Sequence, residues 1–292
     1  MLNSYEYLNL TSKVDNIKLK DFLSESGISS RLIRASIREK NIYLNKIQTF
    51  ENKIISKGDT VSIKFIEEEL NAEPQYKKLD IVYEDEDLLV VNKEANMPTH
   101  TSKGHRENTL LNYVAGYFVE NDIKRKVRFV NRLDKDTTGL VIVAKNSYTH
   151  YDISKQFGSS MIKKYIAISN GIFEKKEGFI EEPIYREGES IIREVNEKGK
   201  SAKTQYRVLG EKNNLSLVEL RLYSGRTHQI RVHLKYIGHP ILGDTLYNES
   251  SKLINRQALH SSYMKFSNPR NQEEIELKAD IPKDMNNIID TY

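Results

Sequence analysis

From residue 78 to the end, short strand-like apolar runs outnumber helical patterns, and the two do not take turns. Residues 80–83, 88–91, 140–144, 165–168, 203–209 and 215–223 read as strands. Only 107–119, 146–158 and 227–237 carry helical spacing, the last through Ile230, Leu234 and Ile237. A doubly wound parallel sheet needs a crossover, usually a helix, after each strand. Too few helices are available for that. The pattern therefore predicts an α+β class with a mixed, largely antiparallel central sheet and flanking helices.

A polar, acidic, proline-containing stretch, Glu67 to Gln75, precedes this body and reads as a linker. It divides the 292 residues into 1–66, a linker at 67–77, and a larger unit at 78–292. The excess positive charge lies on one side of it. Residues 1–66 hold 11 Lys and Arg against 7 Asp and Glu, and the remainder holds 34 of each. Such asymmetry suggests a nucleic-acid-binding appendage on a neutral body. Cysteine is absent, which removes disulfides, thiolate metal sites and a thiol nucleophile. No run approaches 18 apolar residues, and Met1–Tyr5 lacks the basic and then apolar regions of a secretory signal. The expectation is a cytoplasmic protein without membrane association. A monomer is the default, since no long exposed apolar stripe is evident.

Ser29 and Ser30 offer an N-cap for a helix from about Arg31 to Lys40. Leu32, Ile33 and Ile37 fall within an arc of about 140°, whereas Arg31, Arg34 and Arg38 fall within about 60° on the other side. Three guanidinium groups on one stripe can contact successive phosphates, although a solvated helix face has the same pattern. A strand at 42–44, a turn at Asn45-Lys46 and an alternating strand at 60–65 follow.

The segment Asn131-Arg132-Leu133-Asp134-Lys135-Asp136-Thr137-Thr138-Gly139 places a carboxylate between two predicted strands, with a turn expected at 137–139. A carboxylate on a rigid scaffold can act as nucleophile or base, or can simply pair with a cation. Asp136 raises the possibility of a paired-carboxylate glycosidase, but two residues on one turn do not reliably span a sugar. His228 and His233 are five apart and have no evident third ligand, so no metal site is expected.

Three segments resemble the RluA family of pseudouridine synthases. Arg132-Leu133-Asp134 with Thr137-Thr138-Gly139 is similar to its Arg-Leu-Asp-x-x-Thr-Ser-Gly pattern. Gly225-Arg226-Thr227-His228-Gln229-Ile230-Arg231-Val232-His233 is similar to its long Gly-Arg-Thr-His motif, and Lys163-Lys164-Tyr165 to its Lys-x-Tyr strand. Residues 81–93 and Ala258-Leu259-His260 agree with its first and last conserved stretches. Residues 16–66 resemble a small S4-like RNA-binding domain.

The resemblance implies that uridine in RNA is isomerised to pseudouridine with Asp134 as the catalytic residue and no cofactor. It assigns Arg226 to pair with Asp134 and Tyr165 to stack on the uracil. Ile230 and Leu259 would line the base site, although Ile230 also suits core packing. Arg132, Lys163, His228 and Gln229 would contact substrate. Arg31, Arg34, Arg38 and Lys46 would bind RNA. Ribosomal RNA of the large subunit is the favoured substrate and transfer RNA the alternative. A catalytically silent RNA-binding or ribosome-assembly factor is a third reading, opposed by the joint presence of Asp134, Tyr165 and Arg226. Whether Asp134 attacks ribose carbon 1′ or removes the 2′ proton stays open. Asn131 stands where the family usually has His, and Thr138 where it has Ser.

Overall fold

The computed structural model describes residues 1–102, 104 and 106–291. Two hydrophobic cores organise them. The N-terminal one lies under a four-stranded antiparallel sheet in the order Tyr7–Thr11, Thr60–Lys64, Ile42–Leu44, Ile47–Gln48. Helices Leu19–Glu25 and Ser30–Arg38 cover it, and Leu8, Leu19, Leu23, Ile33, Ile42, Val61 and Ile63 fill it. Side chains of that size contribute roughly 1.5–3 kcal/mol each when fully buried. The Ser29 hydroxyl accepts the Leu32 N–H at 3.2 Å and caps the second helix. Asn45 and Lys46 both take positive φ, 50° and 72°, as a tight two-residue hairpin requires.

The larger core is built on a ten-stranded sheet. Its order is Glu177–Ile180, Thr204–Lys212, Leu215–Leu222, Ile162–Asn170, Leu259–Ser267, Thr138–Ala144, Leu88–Lys93, Ile81–Glu84. Glu274–Lys278 pairs with Leu259–Ser267, and Arg128–Phe129 with Thr138–Ala144. Only the contact of Thr138–Ala144 with Leu259–Ser267 is parallel, so the sheet is mixed and largely antiparallel, as the strand count predicts. Helix Leu110–Glu120 starts from a capping box between Thr109 and Asn112. Helix Ser147–Phe157 starts from an Asn146 cap.

One expectation needs correction. Residues 137–139 are not a turn: Thr138 and Gly139 already pair with His260 and Ser261, and the turn runs from Asp134 to Thr137, closed by Thr137 N–H to Asp134 O at 3.1 Å. Gly139 has φ 111°, and a Cβ there would lie 2.2 Å from the Ser261 carbonyl oxygen, so the close parallel contact depends on glycine. The acidic stretch after residue 66 lies against the larger unit. Glu68 N–H bonds Lys124 O, Gln75 N–H bonds Asn112 O, and the Asn71 side chain bonds both Val127 O and Val127 N–H. These bonds lay it along the larger unit as an extended strap.

Candidate active site

Asp134 sits on the loop between Arg128–Phe129 and Thr138–Ala144. Side chains from well-separated segments hold the backbone of that loop. The Thr99 hydroxyl donates to Leu133 O at 2.8 Å and accepts Leu133 N–H at 3.2 Å. Lys93 Nζ donates to Lys135 O, Glu94 O and Met97 O at 2.7–3.0 Å. Arg256 donates to Asp136 O at 3.1 Å and is itself held by Asp284, from the C-terminal helix Lys283–Thr291. Asn131, at the position where the family usually has His, bridges Leu140 O and Ile142 N–H at 3.1 and 2.8 Å. Loop backbone with its polar groups satisfied in this way has little freedom left. Lys93 is buried enough to push its ammonium down to about 7, opposed by Asp136 and Asp134.

The cation beside Asp134 is Arg231, not Arg226. Arg231 Nη1 lies 2.9 Å from Asp134 Oδ2. Its other two donors, Nε and Nη2, form a fork on Asp244 at 2.7 and 2.6 Å. Asp244 is fully buried, and the Tyr247 ring packs against the guanidinium at 5.0 Å. Burial alone would lower the Arg231 pKa, but the bonds to Asp244 and the charge of Asp134 raise it instead. Arg231 therefore stays charged and fixed, with one face presented to Asp134. Arg226 is exposed, and its Nε donates to Ser201 O at 3.0 Å. The cause is local: helix Gln229–Tyr236 begins two residues later than 227, and Arg226 belongs to the turn outside it.

His228 caps that helix in the left-handed conformation, φ 57°. Its Nδ1 is 2.9 Å from the Tyr247 hydroxyl, and its Nε2 is 3.7 Å from Asp134 Oδ2. Burial holds the imidazole below its usual pKa, partly countered by Asp134. The Arg193 backbone N–H already donates to the Tyr247 oxygen at 2.7 Å. With the Tyr247 hydrogen given to Nδ1, His228 presents an Nε2–H toward Asp134.

Tyr165, Ile230 and Leu259 are all buried in one apolar cluster that also contains Leu133 and Ala258. Burial pushes the Tyr165 phenol up to about 12, with a further rise from Asp134. The structure thus brings His228 and Arg231 to Asp134 and Tyr165 close enough to feel its charge, while Ile230 and Leu259 share the apolar cluster of Tyr165. Arg132 is at the rim of the site, exposed, with Nη2 2.9 Å from Thr227 Oγ1.

Two residues expected at substrate are otherwise engaged. Lys163 is buried, donates to Phe157 O, and packs on the Phe157 ring at 4.1 Å, which leaves it unavailable to substrate. Gln229 spends its amide inside the protein: it donates to Lys203 O and Thr204 Oγ1 and accepts from the Ser224 hydroxyl and Arg226 N–H. It shapes the turn rather than facing a ligand. Arg31, Arg34, Arg38 and Lys46 are all exposed on the N-terminal unit. Arg231, Asp244 and Tyr247 were not singled out from sequence. The available signal was helical spacing, which puts Arg231 three residues from His228 and hence on its side of the helix.

Comparison with known proteins gives the family. Residues 87–236 match the family described as RNA pseudouridylate synthase. An uncharacterized RNA pseudouridine synthase of Bacillus subtilis, YhcT, is 39% identical over 90% of this chain and 89% of its own. The ribosomal large subunit pseudouridine synthase D of Zymomonas mobilis is 35% identical over 95% and 89%. Among solved structures, human RNA pseudouridylate synthase domain containing 1 superposes with TM-score 0.58 at 28% identity, covering 71% of this chain and 86% of that one. The chain is a member of the RluA family and an RNA pseudouridine synthase.

Proposed function

We propose that Asp134 is the single catalytic carboxylate and that the substrate is uridine in large-subunit ribosomal RNA. The observation that carries the first part is Arg231, charged, clamped by buried Asp244, and donating to Asp134 at 2.9 Å. A carboxylate held by such a donor is aimed without reorganising during the reaction. In the reaction the bond from ribose carbon 1′ to N1 breaks, the uracil turns, carbon 5 bonds to carbon 1′, the carbon 5 hydrogen leaves as a proton, and N1 takes up a proton, so that the product is an isomer of uridine. Nothing is oxidised and no group passes between molecules, so a carboxylate suffices without metal or cofactor. Asp134 serves either as nucleophile at carbon 1′ or as base toward the 2′ proton.

The target must leave its stack to reach Asp134. Tyr165 would hold the detached uracil through its ring face, a contact worth about 1–3 kcal/mol, with Ile230 and Leu259 against its edges. Because all three are buried, the base enters by displacing part of their mutual packing. His228, with Nε2–H turned to the site, would donate to Asp134 or the substrate. The ribosomal substrate is supported by the ribosomal large subunit synthase of Zymomonas mobilis and its likeness along nearly the whole chain. Residues 1–66 are read as an S4-like unit that grips RNA through Arg31, Arg34 and Arg38. Residues 78–292 are read as the catalytic domain.

The test is tritium release from RNA labelled at uridine carbon 5, together with pseudouridine maps of cells with and without the gene. Asp134→Asn should keep the fold and release no tritium. Activity retained in that variant overturns the catalytic assignment. A lost pseudouridine in transfer RNA, with ribosomal RNA unchanged, overturns the substrate.

A further inference from the structure

The outer face of the large sheet carries a row of side chains that the catalytic reading does not use. Strand register places Phe179 beside Gln205, Gln205 beside Arg221, Arg221 beside Lys164, Lys164 beside Tyr263, and Tyr263 beside Lys278. Six strands at about 4.8 Å spacing make this row roughly 24 Å long. Each member is exposed or partly exposed, whereas an adjacent residue on each strand, Ile180, Tyr206, Leu220, Tyr165, Met264 or Leu277, is buried. A soluble sheet facing water has no packing reason to display aromatic rings there.

The aromatic end of the row is the most developed. Phe179 is 53% exposed and Tyr223 40%, with ring centroids 6.2 Å apart. Lys203 Nζ lies 4.4 Å from the Phe179 centroid and 5.5 Å from that of Tyr223, and the Arg221 guanidinium lies 4.8 Å from Tyr223. Across the sheet, Lys164 Nζ is 5.6 Å from the Tyr263 ring. Acidic groups are present too: Glu181 pairs with Lys203, Glu219 with Lys164 and Arg207, and Glu276 with Lys278. Among the described residues Arg221 has no carboxylate partner within 4.0 Å. Exposed rings on one sheet face, interleaved with cations, match what single-stranded RNA needs, because every base has a stacking face and every nucleotide a phosphate. The row is also continuous with the site. Tyr223 leads directly through Ser224 and Gly225 to Arg226 and Thr227, and Thr227 is bonded to Arg132, two residues before Asp134.

We infer that this outer sheet face is a stacking platform for single-stranded RNA flanking the target uridine, with Phe179 and Tyr223 as its base-binding rings. The inference rests on the chain's being an RNA-modifying enzyme. The chain contains no tryptophan, so Phe179→Trp installs a unique fluorophore on the platform. In the full-length protein its emission should be quenched by poly(U) RNA. Phe179→Ala with Tyr223→Ala should raise KM roughly tenfold at unchanged kcat and leave the thermal midpoint unaltered. Tyr223→Phe should behave as the parent because it keeps the ring. Arg221→Gln should flatten the salt dependence of binding, which the alanine changes should not. Emission indifferent to poly(U), or a KM within about twofold of the parent, overturns the platform and leaves the catalytic reading untouched. Emission that responds only to another protein would mark this face as a protein interface instead.

Discussion

The Asp134 loop and the Arg31–Arg38 helix face both present charge, but they hold it differently. Around Asp134, Lys93, Thr99, Asn131 and Arg256 bond the loop and its flanks, and Arg231 is shared with a buried carboxylate. On the N-terminal helix, Arg31, Arg34 and Arg38 are exposed, and the pair seen there, Arg38 with Glu39, is between sequence neighbours at the surface. The contrast fits the work proposed for each charge. A reacting carboxylate must be placed to within a fraction of an ångström before substrate arrives. Phosphate attraction is long-ranged and tolerates mobile side chains.

The largest expected effect tests the rigid side of the comparison. Asp134→Asn should reduce tritium release at least about 10⁴-fold with the melting temperature retained. Arg231→Ala comes next and should separate the two arginines of one motif. Loss of Arg231 leaves Asp244 buried and unpaired, which costs roughly 3–5 kcal/mol in urea unfolding besides activity. Arg226→Ala, at an exposed position, should change stability by less than about 0.5 kcal/mol. Equal losses in the two variants would break the assignment of Arg231.

Acid should act on the same side. His100, His150, His228, His233 and His260 all have pKa values lowered from 6.5 in the folded state, chiefly by burial. The unfolded chain then binds more protons than the folded one as pH falls through 6.5. Stability present above that pH is progressively lost below it, by up to roughly 1.4 kcal/mol per pH unit for each histidine. Urea midpoints at pH 7 and pH 5 measure this, and a flat profile would contradict it. Residues 1–66 contain no histidine, so their contribution should not titrate in that range. The smallest effect belongs to the mobile side. Gln in place of Arg31, Arg34 and Arg38 should raise KM several-fold, leave kcat alone, and reduce the salt slope of RNA binding by about 2.

Much of this architecture is legible in sequence because it is local. The strands at 88–91 and 140–144 are short continuous apolar runs buried on both faces, the strand at 215–223 alternates, and the Ser29 cap announces its helix. The Leu259–Ser267 strand was visible only as a motif. It is bulged where it meets Lys164 and Tyr165, and its buried and polar positions do not alternate cleanly. Asp134 is readable from its segment, yet its cation is not. Arg226 and Arg231 lie in one motif, and the choice between them depends on Asp244, which only the tertiary fold brings within reach. Lys163 and Gln229 mislead for a related reason: polar residues in a binding motif suggest ligand contacts, while here buried backbone and side-chain partners take their donors.

Tyr148 belongs to helix Ser147–Phe157 of the large unit, but its ring is counted among the buried residues of the N-terminal core, and its hydroxyl bonds Pro269 O at 2.9 Å. Arg270 reaches the same seam, forking onto Asp87 while donating to Tyr7 O at 2.8 Å. An apolar ring lent across the boundary couples the unfolding of the two units. Heating should therefore produce one calorimetric transition in place of two, and removal of residues 1–66 should leave a sticky aromatic scar on the remaining body.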